Sequence, residues 1–138
     1  MVKSTRHAIS VVIRNSKGET LFVLRSPNKK SFPLVWSLPS HWVTDGETSE
    51  ATIVRIGLHK LGVKLTPVRL LNEGYGDRPD FRLFMHDYEA RIIGGTPYLA
   101  SEDYVELKWA DAASFLAMLS VKGECTRLYS EHLDQTKT

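Results

Sequence analysis

At 138 residues, with 42% hydrophobic and 25% charged side chains, the chain has the size and balance of one globular domain with its own core. A formal net charge of +2 is too small to direct it to nucleic acid or to an anionic membrane by itself. A single cysteine, Cys125, excludes an internal disulfide, no stretch approaches the roughly 20 apolar residues that span a bilayer, and the basic start lacks the apolar core and cleavage site of a signal peptide. A cytoplasmic protein, with no membrane or nucleic-acid partner, is therefore expected.

In chain order, residues 7–14 (HAISVVIR) are rich in β-branched side chains and predict a strand. Residues 15–18 make a turn in which Gly18 is free to take positive φ, and 20–24 return as the second strand of a hairpin. Residues 26–34, with Pro27, Lys29, Lys30 and Pro33, predict a loop, and 36–38 a short strand stopped by Pro39. Asp45-Gly46 is a turn signal, after which Thr48 or Ser49 can N-cap a helix over 49–61, closed by Gly62 as its C′ residue. At about 100° per residue, Ala51, Ile53, Val54, Gly57, Leu58 and Leu61 gather on one arc, expected to face the core. Thr52, Arg55, Ile56, His59 and Lys60 gather on the other.

Beyond the helix, 65–71 predict a strand, 72–80 (NEGYGDRPD) a loop, and 81–93 a long strand turned by 94–97. Residues 105–109 alternate as a strand, and 111–119 and 124–133 predict helices. The polar tail 134–138 is expected to fray.

Residues 36–63 read WSLPSHWVTDGETSEATIVRIGLHKLGV. Their layout resembles the Nudix box, G-x5-E-x7-R-E-U-x-E-E-x-G-U with U a bulky aliphatic, laid without a gap from His41 through Glu47 and Arg55 to Gly62 and Val63. The resemblance extends to WSLP before the box and VELKWAD after it. It implies one Nudix-like (MutT-like) domain over 1–138, an α/β/α sandwich with a mixed β-sheet. The family hydrolyses nucleoside diphosphates linked to another group. In it the helix glutamates bind Mg²⁺, Glu47 contributes structurally or from the outer shell, and Arg55 orients a glutamate.

The box here is degenerate, because the three glutamate positions hold Ile56, His59 and Lys60 and the first glycine is His41. Mg²⁺ needs hard oxygen ligands. Ile56 offers none, a neutral imidazole at His59 suits a softer metal, and a protonated Lys60 repels a cation. Two unit charges 4 Å apart at an effective dielectric of about 20 interact by about 4 kcal/mol. No cofactor is expected, and Mg²⁺ or Mn²⁺ only if carboxylates elsewhere rebuild a site. The set for that is Glu47, Glu102 and Asp103, with Glu47 and Glu102 as its catalytic carboxylates.

Three functions are in play. The first is a binding protein for a nucleotide-like or other small phosphorylated or anionic ligand. Arg55, His59 and Lys60 would supply the cationic face, and Trp42 and Tyr75 would be candidates to stack on a ring. The second is a hydrolase working through the displaced metal set. The third is a protein-interaction module. Each residue also has a plainer reading: a solvated helix face for the cations, a solvated loop for the acids, packing for the aromatics.

Overall fold

A computed structural model describes residues 4–136 of the chain. The expected fraying of the tail at 137 and 138 lies outside the described residues. Up to Thr136 the tail is helical.

Strand β1 (Ser4–Ile13) has apolar side chains on both sides from Ala8 onward and is buried on both. It therefore takes a central place in a four-stranded sheet ordered β4-β1-β6-β5. It runs parallel to β6 (Phe81–Gly94) and antiparallel to β4 (Ser40–Trp42). Strand β5 (Lys64–Asp77) pairs antiparallel with β6 at the edge. A second sheet, ordered β3-β2-β7, joins β3 (Trp36–Ser37), β2 (Thr20–Arg25) and β7 (Tyr104–Ala110), all antiparallel. The period-2 alternation assigns each face. Ile9, Val11, Ile13, Leu21 and Val23 pack with Ile53, Ile56 and Leu61 of the box helix. Val12 and Phe22 point the other way, against Phe115 and Leu116 of α2 (Ala112–Met118) and Tyr129 of α3 (Glu124–Thr136). The result is a mixed sheet layer between helices, as expected. No helix among the described residues is long and apolar enough to cross a membrane.

The hairpin expected of β1 and β2 does not form: they lie in different sheets, linked by an isolated bridge between Arg14 and Thr20. Two further local expectations are overturned. Residues 72–77 are not a loop but the continuation of β5, which shifts register at three points up to Asn72 and then pairs with β6 as far as Asp77. Their glycines serve close packing: a Cβ at Gly74 would come within 2.9 Å of Leu128, and one at Gly76 within 2.7 Å of Glu124, both on α3.

The second correction concerns the box helix. Helix α1 (Ser49–Ile56) is N-capped by Thr48, whose side chain accepts from the Ala51 amide, and runs on into a π-helical turn over Gly57–Leu61. The Gly62 amide closes that turn by donating to the Gly57 carbonyl, and Gly62 itself takes φ 66°. The buried positions are Thr52, Ile53, Ile56, Gly57, Lys60 and Leu61, spaced by fours. At about 100° per residue these six share one half of the helix, centred near Ile53 and Lys60, so Ile56 and Lys60 face inward. Ala51 and Leu58, expected in the core, are exposed, Leu58 by 46%.

Ile53→Ala is accordingly expected to cost about 2 to 5 kcal/mol in urea unfolding. Leu58→Ala should change stability by less than about 0.5 kcal/mol. Equal losses at both positions would refute this seating of the helix.

Candidate functional site

The loop between β4 and α1 is tied down by one carboxylate. Glu47 accepts from Arg55 through both oxygens (Nε and Nη2, each 2.9 Å), from the Thr52 hydroxyl (2.7 Å) and from the Thr44 amide (3.1 Å). This fork holds its carboxyl well below the usual carboxylate range, chiefly through Arg55 and then Thr52. Arg55 also donates to the Trp42 carbonyl (2.8 Å) and lies 3.2 Å from His41 Nδ1. Burial, with Lys60, Arg55 and Lys29 nearby, lowers the pKa of His41, against a raising contact with the Trp42 carbonyl. Glu47 and Arg55 thus saturate each other and fix the loop.

Beside this clamp opens a cavity of about 160 Å³ where the inner face of the box helix meets β7, the loop 26–35 and the start of α3. Lys60 reaches it with only 6% of its surface exposed. Its ammonium donates to Asp103 Oδ2, and Lys29 donates to Asp103 Oδ1 from 3.2 Å. Arg25 lines the same wall and donates to the Ser31 carbonyl (2.9 and 3.1 Å), closing the loop. Two ammoniums therefore share one carboxylate, with a guanidinium on the same wall. Burial, followed by repulsion from Lys29, Arg25 and Arg55, pushes Lys60 down to about 8. Phe32, at the lip, and its near neighbour Leu34 hold φ of 51° and 54°, a strained conformation for bulky residues. Trp42 lines the cavity with the Arg6 guanidinium 4.1 Å above its ring. Burial raises the Cys125 thiol to about 12, so it stays protonated in the wall.

Of the residues singled out in the sequence, Lys60, Trp42 and Asp103 come together here. Arg55 and Glu47 lie beside them as the loop clamp. His59 is exposed and absent from the cavity lining, as is Glu102. Tyr75 sits on the outer sheet, stacked on Phe84 at 4.3 Å and covered by Arg82 at 4.6 Å. Ile56 is in the core. Among the described residues no group of three or more His, Cys, Asp or Glu side chains is arranged to hold a metal ion, so Glu47, Glu102 and Asp103 do not converge. The donors present do not fit the hard divalent cation implied by the box, since an ammonium meets the Asp103 carboxylate where a cation would. Arg25, Lys29 and Ser37 were missed. The basic composition of loop 26–34 was the available signal for the lysine.

A mixed sheet held between helices, with a cleft at the inner end of the box helix, defines the Nudix class of α/β/α domain. A sequence model described as the NUDIX domain matches residues 4–128, and the chain belongs to that family. Its fold is similar to that of a MutT protein from Methanosarcina mazei Go1 (TM-score 0.83, 19% identity, 100% of this chain and 99% of that one). It is also similar to a MutT NUDIX hydrolase from Burkholderia pseudomallei (TM-score 0.75, 20% identity, 98% and 100%). Among curated proteins it resembles isopentenyl-diphosphate Delta-isomerase of Shigella flexneri, 28% identical over 123 residues. That match covers 79% of this chain and 63% of the isomerase.

The clamp yields a pH-dependent expectation. A carboxyl held low contributes stability above its ordinary value of 4.5, and loses it as pH falls below that. Glu47→Gln should lower the melting temperature at pH 7 and flatten the acid-side decline. A melting curve with unchanged acid slope would contradict the assignment.

Proposed function

We propose that this Nudix-family chain binds a small phosphorylated or otherwise anionic ligand at the cavity beside Lys60, and that standard Mg²⁺-dependent pyrophosphohydrolysis is not its activity. The observation that carries this reading is a buried ammonium sharing one carboxylate with a second ammonium, with a guanidinium on the same wall. A buried charge is costly unless paired, and an incoming phosphoryl oxygen would give Lys60, Lys29 and Arg25 the negative charge that Asp103 alone spreads thinly. The anion site of this reading is therefore Arg25, Lys29 and Lys60, in place of the Arg55, His59 and Lys60 face. The isomerase relative, whose name carries a small organic diphosphate, supports a diphosphate as one form of ligand. Hydrolysis through Glu47, Glu102 and Asp103 is less favoured, because Glu47 is spent on Arg55 and Asp103 on two lysines.

Titration calorimetry with inorganic pyrophosphate in EDTA at low salt tests it. Binding is expected, weakening with salt. Only protonated Lys60 attracts the anion, so affinity should be full well below about pH 8 and fall as pH rises through about 8. Lys60→Met should weaken binding roughly ten-fold or more, the range for a hydrogen bond between charged groups. Asp103→Asn should strengthen it, because it removes the internal competitor. Absence of binding, or an Asp103→Asn variant that binds more weakly, would overturn the proposal.

A further inference from the structure

The deep end of the same cavity carries a feature that anion binding leaves unexplained. Ser37, on β3, is 5% exposed and lines the cavity, and its hydroxyl oxygen has no hydrogen-bond partner among the described residues. Buried hydroxyls beside it are satisfied within the protein. Thr126 Oγ1 accepts from the Leu38 amide at 3.2 Å. Tyr104 accepts from the Ser40 amide at 3.1 Å and donates to its carbonyl at 3.3 Å. Ala8 and Leu83, both buried, also line it, as do Arg78 and Glu124, which pair with each other. Buried polar side chains almost always find partners, so a hydroxyl orphaned in a cavity wall is a donor and acceptor reserved for what enters. Lys29 and Asp103, by contrast, keep about a third of their side-chain surface exposed, which places them nearer the mouth, while Lys60 is as buried as Ser37.

Size narrows the guest further. A cavity of about 150 Å³ holds one benzene ring, and this cleft, open to solvent on one side, encloses about 160 Å³. A purine nucleoside would extend beyond it into solvent.

Resting on the anion-site reading above, we propose that the ligand is a phosphate or diphosphate ester with a compact organic body. That body is no larger than one six-membered ring, and it carries a hydroxyl, carbonyl or amine that bonds Ser37. The phosphoryl head sits with Lys29, Arg25 and Lys60, and the body lies against Ser37. A body that buries the Ser37 hydroxyl without bonding it loses affinity. Ser37 is thus a specificity-determining residue.

The test uses the whole chain in EDTA and four probes: inorganic pyrophosphate, butyl diphosphate, 4-hydroxybutyl diphosphate and adenosine diphosphate. Calorimetry should show the hydroxylated ester binding about ten-fold more tightly than butyl diphosphate, and adenosine diphosphate no more tightly than pyrophosphate. In Ser37→Ala the hydroxyl preference should vanish while pyrophosphate affinity stays the same. The proposal falls if the wild type shows no preference between the two butyl esters. It also falls if the preference survives in Ser37→Ala, or if adenosine diphosphate matches the hydroxylated ester. The wild-type comparison stands alone should Ser37→Ala fail to fold. If pyrophosphate binds and the preference is missing, only this inference is lost. If pyrophosphate does not bind, the anion site itself is lost with it.

Discussion

The closeness of the box helix to the sheet is the constraint on which the site depends. At Gly57 a Cβ would lie 2.7 Å from Leu65 and 2.8 Å from the Val63 carbonyl, so only glycine permits this approach. Gly57 also accepts the hydrogen bonds from Gly62 and Val63 that shape the π-helical turn. The chain then doubles back into β5 through Gly62, where a Cβ would strike the Tyr98 ring. This packed corner holds the last turn of the helix against the sheet and aims Lys60 inward rather than along the solvent face.

An inward lysine imposes an electrostatic requirement. Charge in a low-dielectric interior needs a partner with good geometry. Asp103 supplies it from the loop before β7, whose position is fixed by the Ser26 amide bonding the Asp103 carbonyl at 2.8 Å. Lys29 leans on the same carboxylate, and Arg25 sits behind on β2. The Tyr104 ring lies 5.6 Å from the ammonium and adds a weak attraction. The arrangement places a cation on the box helix, where the Nudix pattern has a glutamate, while keeping the frame. The strained backbone at Phe32 sits over that opening, a type of outlier that clusters at ligand clamps.

Much of the architecture was readable beforehand. The β-branched run in 7–14 and the return over 20–24 after a turn announced strands, and the ungapped frame from Glu47 to Val63 announced the box. The resemblance implied that Arg55 orients a glutamate, and the structure gives it Glu47. The helix face was misread because the inward arc was centred on the apolar Ala51, Val54 and Leu58, about a quarter turn from the arc that packs, which includes the polar Thr52 and Lys60. Residues 72–77 were misread because glycines that admit α3 look, in one dimension, like turn formers.

The sequence by itself determined the family frame, the loss of the three helix glutamates and the identity of Lys60 as the cation on that helix. Each is a property of local order and spacing. Only the tertiary structure decided that Lys60 points inward, that its carboxylate is Asp103 rather than Glu47, and that Arg25, Lys29 and Ser37 join it. These partners come from β2, the following loop and β3, brought together by antiparallel pairing of β2 with β3 and β7. Burial and charge pairing are set by which strands are neighbours in space, and no local spacing encodes that.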